Sequence, residues 1–197
     1  TGYYVDRAIK NLGIECLHIN PMKQAVPDDA DFILMVDDGV DYRLEGKSAC
    51  PVVYWAIDTH FTPEQTKRKA EVADIVYTAQ KNGIDVIPKS AWLPLACDMD
   101  THNVGERGKI YDVCFIGNTH PSSMQRRIDM VDALFRSQPN FYYGRRFFKD
   151  ASKNYAESKI VFNCSINNDI NMRVFEALAS GSLLITDKIT DNGFEEI

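Results

Sequence analysis

At 197 residues, with 45% apolar and 25% charged side chains, the chain can bury a real core as one large domain or two small ones, and general disorder is excluded. A net charge of −6 speaks against nucleic acid, whose binders show a basic surface, although a local basic cluster can still hold a phosphate. No apolar stretch approaches the roughly 20 residues that span a bilayer, and no signal peptide is recognisable.

Residues 1–13 read as a helix ended by Gly13. A Rossmann-like half opens with a strand ahead of its first helix, so the chain reads as lacking that strand, and its end at FEEI reads as a second truncation. The runs at 14–19, 32–36, 52–57 and 74–79 are mostly apolar throughout, the pattern of strands covered on both faces. Pro27-Asp28-Asp29 and Asp37-Asp38-Gly39 are turn signals, and Thr62-Pro63 opens a helix that Thr62 can cap. Residues 92–109 turn polar after Cys97 and read as a linker. The pattern then restarts with a strand at 111–117. A helix at 121–135 follows, with Met124, Ile128, Val131 and Phe135 at helical spacing. Then come a strand at 141–144, a helix at 150–159, a strand at 159–163, a helix at 170–181 closed by Gly181, and a strand at 182–187. Repeated strand–helix–strand order predicts an α/β fold of parallel sheets with right-handed crossovers. The polar break divides it into residues 1–104 and 105–197.

The five cysteines, Cys16, Cys50, Cys97, Cys114 and Cys164, form no C-x-x-C pair. They read as free thiols of a reducing, cytoplasmic compartment, not as a zinc site. In open parallel sheets ligands bind beyond the carboxyl ends of the strands. The loops to watch therefore start at Asp58, Gly117, Gly144, Asn163 and Thr186.

The segment 163–187 is the densest in polar groups at such an end. Asn163, Ser165, Asn167, Asn168 and Asp169 fill the approach to a helix whose N-terminus favours anions. Arg173 and Glu176 share one face of that helix, suited to diphosphate and ribose respectively. Asn168 or Asp169 can equally be an N-cap, and Asp169 and Arg173 have the spacing of an intrahelical ion pair. Gly117, followed by Asn118, allows close backbone approach. Arg126 and Arg127 oppose the dipole of the next helix, which fits either a nearby phosphate or plain solvation. Asp58 and His60 leave the end of a strand, placed to orient a hydroxyl or transfer a proton, or simply to tie a loop. Asp98-Met99-Asp100 resembles a metal-binding D-x-D but lies in the linker.

Through YWAIDTHF, WLPLACD, YDVCFIGN and above all NYAESKIVFNCSINNDINMRVFEALASGSLLITD, the chain resembles the CgeB-type, spore-maturation-protein-like glycosyltransferases of GT-B fold. The resemblance implies two Rossmann-like domains with parallel sheets facing across a cleft, the first on the acceptor side and the second binding a nucleotide-sugar donor. The donor would be UDP- or GDP-linked, the acceptor a glycan, protein or small molecule, and no metal or other cofactor would be needed. Arg173, Asp58 and His60 would be catalytic. Gly117, Asn118, Arg145, Asn163, Ser165, Asn168, Asn171 and Glu176 would bind the donor, with Arg145 to Phe148 on the base. Related retaining enzymes carry two glutamates around this helix; Glu176 matches the second, and Asn168 stands where the first would be. Two other readings share the fold: a nucleotide-sugar epimerase, and a non-catalytic surface or spore-associated protein.

Overall fold

Strands form where apolar, β-branched or aromatic runs find a neighbour to pair with. In the computed structural model, which describes residues 1–37, 39–42, 49–119, 125–190 and 192–197, they gather into two sheets in separate compact units, Thr1–Pro94 and Leu95–Ile197. Each unit is Rossmann-like.

The first unit holds α1 (Gly2–Asn11), β1 (Ile33–Val36), β2 (Val52–Ala56), α2 (Pro63–Glu71), β3 (Ile75–Thr78), α3 (Gly83–Val86) and β4 (Ala91–Trp92). Its four strands are parallel in the order β1-β2-β3-β4. Val52, Tyr54 and Ala56 alternate inward along β2 and join Met35, Tyr42 and Ile87 in the core. The run at 14–19, expected as a strand, forms none: Ile14 and Leu17 are exposed and no ladder reaches them. Among the described residues β1 pairs only with β2, so its other edge takes no strand from this run. Helix α1 buries no residue, and a cavity of about 1140 Å³ opens between it, the 14–19 segment and the ends of β1 and β2. Pro63 does start α2, but Thr62 makes no side-chain cap; its carbonyl instead accepts from both the amide and the hydroxyl of Thr66.

The second unit holds α4 (Met99–His102), β5 (Tyr111–Ile116), α5 (Gln125–Ser137), β6 (Phe141–Gly144), α6 (Phe148–Ala156), β7 (Ser158–Asn163), α7 (Met172–Ala179), β8 (Leu183–Thr186) and a last helical turn, Phe194–Glu196. The strands are parallel in the order β6-β5-β7-β8. The core packs Cys114 and Ile116 of β5 and Val161 of β7 against Ala151 and Tyr155 of α6 and Ala177 of α7. Burial pushes the Cys114 thiol up to about 11, so it is an inert core residue. Gly181, at φ +74, ends α7 in the left-handed conformation that glycine adopts without penalty.

Three expectations change here. The division falls after Pro94, so residues 95–104 pack with the second unit, because α4 seats on α6 and α7. Asp98 is the N-cap of α4, accepting from the Asp100 amide at 3.3 Å and the Thr101 hydroxyl at 2.5 Å, which uses the D-x-D for local structure. The inward face of α5 is carried by Arg127 and Val131, while Phe135 is exposed. Asp38 and residues 121–124, including Met124, lie outside the described residues.

Candidate functional site

The order β6-β5-β7-β8 decides where a ligand fits in the second unit. The chain leaves β5 to one side, forms β6, and crosses back to form β7 on the other. The crossovers therefore diverge between the carboxyl ends of β5 and β7, opening the crevice that such sheets use for ligands. Gly117 follows β5 there and Asn163 ends β7.

Arg173 lies astride that point. Its Nε donates to the Ile116 carbonyl (2.8 Å) and its Nη1 to the Asn163 side-chain oxygen (2.6 Å), while the guanidinium covers the Phe115 ring at 4.7 Å. Gly117 has to be glycine: a Cβ would strike the guanidinium and press on Phe115 at 3.0 Å. Burial pushes the neighbouring Tyr155 hydroxyl well above the usual phenol range even though Arg173 opposes the shift. Two N–H bonds fix the guanidinium to the strand ends, Tyr155 shares a further hydrogen bond with it, and a guanidinium has five N–H donors in all. A cation so placed, in the first turn of α7, is suited to an anion that brings two phosphates to a strand end.

The loop into α7 is built from its own amides. Asn171, not Asn168 or Asp169, is the N-cap: its oxygen accepts from the Arg173 amide at 3.1 Å, and its amide donates to Asn163 at 3.1 Å. The helix thus starts at Met172, and one backbone N–H expected for a ligand is held by Asn171. Asp169 is buried and turns back into the loop, accepting from the Ile166 and Asn167 amides at 3.3 Å each. Asn168, at φ +52, donates to the Thr190 carbonyl (2.5 Å) and accepts from the Thr190 amide (3.0 Å), pinning the loop after β8. Ser165 donates through both amide and hydroxyl to Asp187 at 2.7 Å.

The two arginines of α5 resolve differently from each other. Arg126 is exposed and pairs with Asp187 at 2.9 Å. Arg127 is buried and donates to the Cys164 carbonyl at 2.6 Å and the Asn118 carbonyl at 3.2 Å, bracing the ends of β7 and β5. Burial, then the nearby Arg173, lowers its pKa. Its importance was not readable from the apolar pattern of α5. Asp187 was missed too, although its place at the end of β8 was a signal.

Glu176 lies on α7 beyond Arg173, its side chain 16% exposed. Burial raises its pKa despite the opposing Arg173. Arg145 is exposed just past β6, beside exposed Phe147 and Phe148. The site therefore gathers Gly117, Asn163, Asn171 and Arg173 tightly, with Glu176 on the same helix and Asn118 and Arg145 on neighbouring strand ends. In the first unit, Asp58 sits at the end of β2 with φ +54; its amide donates to Gln80 at 2.9 Å and its carboxylate accepts from Gln80 at 3.4 Å. The His60 ring packs on Phe61 at 4.1 Å. Among the described residues no group of three or more His, Cys, Asp or Glu has the geometry to hold a metal ion, and no helix is long and apolar enough to cross a membrane.

Residues 122–197 match the family of glycosyl transferase-like domains. The glycosyl transferase-like segment thus carries α7, Arg173, Glu176 and the whole approach loop from Asn163. No curated protein matches the chain. A solved structure, described as the crystal structure of accessory secretory protein 1,2 and 3 in Streptococcus pneumoniae, is similar over 95% of this chain at 11% identity and a TM-score of 0.44. The chain spans 45% of that protein's length, a likeness too distant to carry function.

Proposed function

We propose that this protein is a metal-independent GT-B glycosyltransferase of CgeB type that moves a sugar from a UDP- or GDP-linked donor to an acceptor hydroxyl of a glycan, protein or small molecule in the cytoplasm. The observation that carries the reading is Arg173, fixed across the ends of β5 and β7 inside the segment that matches glycosyl transferase-like domains.

In this reading the donor diphosphate lies over Gly117, against the Arg173 guanidinium and the N-terminal end of α7. As the bond from anomeric carbon to phosphate oxygen breaks, negative charge grows on the leaving diphosphate. A cation and helix dipole already in place stabilise it without reorganising. Glu176 accepts hydrogen bonds from ribose hydroxyls, and Arg145 with the following aromatic residues takes the base. Asn163, Asn171, Ser165, Asn168 and Asn118 hold the loops that shape the site. Asp58 orients the acceptor hydroxyl and His60 assists its deprotonation. Asp58's positive φ, uncommon for a residue other than glycine, supports its place at a working strand end. Retention at the anomeric carbon is part of the proposal.

Calorimetric titration of the protein with a panel of UDP- and GDP-sugars tests it. One nucleotide series should bind, and Arg173→Ala and Glu176→Ala should each weaken it about tenfold or more. No binding to any member by the complete protein overturns the reading.

A further inference from the structure

The family match begins at residue 122, yet the carboxylate of Glu176 is approached from outside it. His102 ends α4, a short helix packed on both α6 and α7, and its side chain is fully buried. Its Nε2 lies 3.6 Å from Glu176 Oε1. Its Nδ1 lies 2.7 Å from the Ser152 hydroxyl on α6.

Each ring nitrogen faces a polar neighbour. The Ser152 hydroxyl has one proton, for which the Phe148 carbonyl at 2.9 Å and Nδ1 at 2.7 Å are the two acceptors. Either way, Nε2 is the ring atom that faces Glu176. Two acceptors that meet in a dry site need one proton between them. Burial raises the Glu176 carboxyl and lowers the His102 imidazole, so both shifts oppose a full ion pair at this contact. The other end of the chain is equally specific. Phe148 has φ +51, a strained setting for a bulky residue, and its carbonyl is held in that setting by Ser152.

We propose that His102 is a positioning residue of the donor site, one imidazole edge holding the Glu176 carboxyl on α7 and the other clamping, through Ser152, the strained start of α6 after β6. The inference rests on the reading of Glu176 as the ribose-binding group. It adds that the ribose contact and the loop expected to read the base are set by one buried ring, contributed by residues 95–104 rather than by the matched segment. Glu176's other oxygen is left for a ribose hydroxyl.

The test is titration of the whole chain with UDP-glucose and GDP-mannose, for the wild type, His102→Phe and His102→Gln. Both variants lose the buried imidazole, but glutamine keeps a hydrogen-bonding end toward Glu176. His102→Phe should lower the affinity for the nucleotide sugar that binds about tenfold, while His102→Gln should stay within about threefold of the wild type. Equal loss in both, or loss in neither, overturns the positioning role. A second measurement does not need the ligand: in the nitrogen spectrum of labelled histidine, Glu176→Leu should move the His102 Nε2 resonance more than that of Nδ1. An Nε2 signal indifferent to Glu176 overturns the contact itself. If the wild type binds neither sugar nor any other nucleotide sugar, the donor reading falls, and the nitrogen spectrum still decides whether His102 holds Glu176.

Discussion

The two units are both four-stranded parallel sheets, but they treat their charges in opposite ways. In the first, strand order follows chain order, so successive crossovers run side by side and the described sheet has no point of divergence. At the end of β1, Asp37 is buried with Lys69 of α2: the ammonium lies 3.0 Å from the carboxylate, 2.7 Å from the Val40 carbonyl and 4.5 Å over the Tyr42 ring, while the Tyr54 hydroxyl donates to Asp37 at 2.7 Å. That cation is enclosed on every described side. In the second unit the order reverses at β5, and Arg173 sits where it reverses, only half-buried and anchored by two bonds. A buried cation of the first kind holds a loop; one of the second kind stays only partly enclosed at a strand end. Topology, more than residue type, separates them.

The sharpest way to break this contrast is to remove the enclosed charge. Lys69→Met leaves the Asp37 carboxyl, its side chain 3% exposed, without its cation. A stability loss of about 3–5 kcal/mol is expected. Hydrogen exchange should place the loss in the first unit while amides of β5 and β7 keep their protection. Adding Asp37→Asn should recover part of it, since a neutral amide needs no counter-charge and its oxygen can still accept from the Tyr54 hydroxyl. Little loss in the single variant would show that water reaches the pair.

Gly117→Ala probes the other side. The added methyl meets the Arg173 guanidinium and, at 3.0 Å, the Phe115 ring, so the guanidinium has to shift. Overpacking of this kind is worth about 1–3 kcal/mol. Here the larger consequence is for binding: a displaced guanidinium should abolish nucleotide-sugar affinity in titration even where thermal unfolding shows the unit still folded.

Much of the fold was legible because strands covered on both faces are written as continuous apolar runs, and those at 32–36, 52–57, 111–117 and 159–163 all became strands. The run at 14–19, interrupted by Glu15 and His18, did not, since composition reports what a segment would bury and not whether it pairs. The second site was legible in outline for a similar reason: polar residues crowding a strand end mark a loop with work to do. Their division of labour was not. Asn168, Asp169 and Asn171 are interchangeable as caps by residue type, and only the backward turn of Asp169 and the positive φ of Asn168 leave the task to Asn171. His102 carried no signal, because nothing in a linker-like stretch shows that its ring is buried against two helices.

Asn171 separates the two jobs it does in the second unit. Asn171→Ala removes the cap and the donation to Asn163, and about 1 kcal/mol of stability is expected to go with the cap. Asn171→Ser keeps a capping oxygen but not the amide, so it should restore the thermal midpoint while leaving Asn163 less firmly held beside Arg173. If serine also restores nucleotide-sugar affinity, the cap alone orients the site; if affinity stays low with stability recovered, the Asn171–Asn163 bond is what aims the guanidinium.

The smallest effect expected is a pH dependence from the exposed rim of the same unit. Burial works to raise the Asp187 pKa, but hydrogen bonds from Ser165 and Arg126 outweigh it and hold the carboxylate below its ordinary value of 3.8. A carboxylate whose folded value is lowered contributes stability that is fully present above its unfolded value and is lost as pH falls through the folded one. The contribution should therefore be constant at neutral pH and fade only below about 3.8. Arg126 is 61% exposed, so water and salt screen its share, and Arg126→Ala should cost at most about 1 kcal/mol. Ser165→Ala removes a buried donor to the same carboxylate and should shift the acid limb of the stability curve upward more than Arg126→Ala does. Denaturant titrations at neutral pH and at acid pH decide between them: if the arginine variant moves the acid limb more, the exposed ion pair and not the buried hydroxyl holds Asp187 ionised, and the rim of the second unit is tuned by surface charge after all.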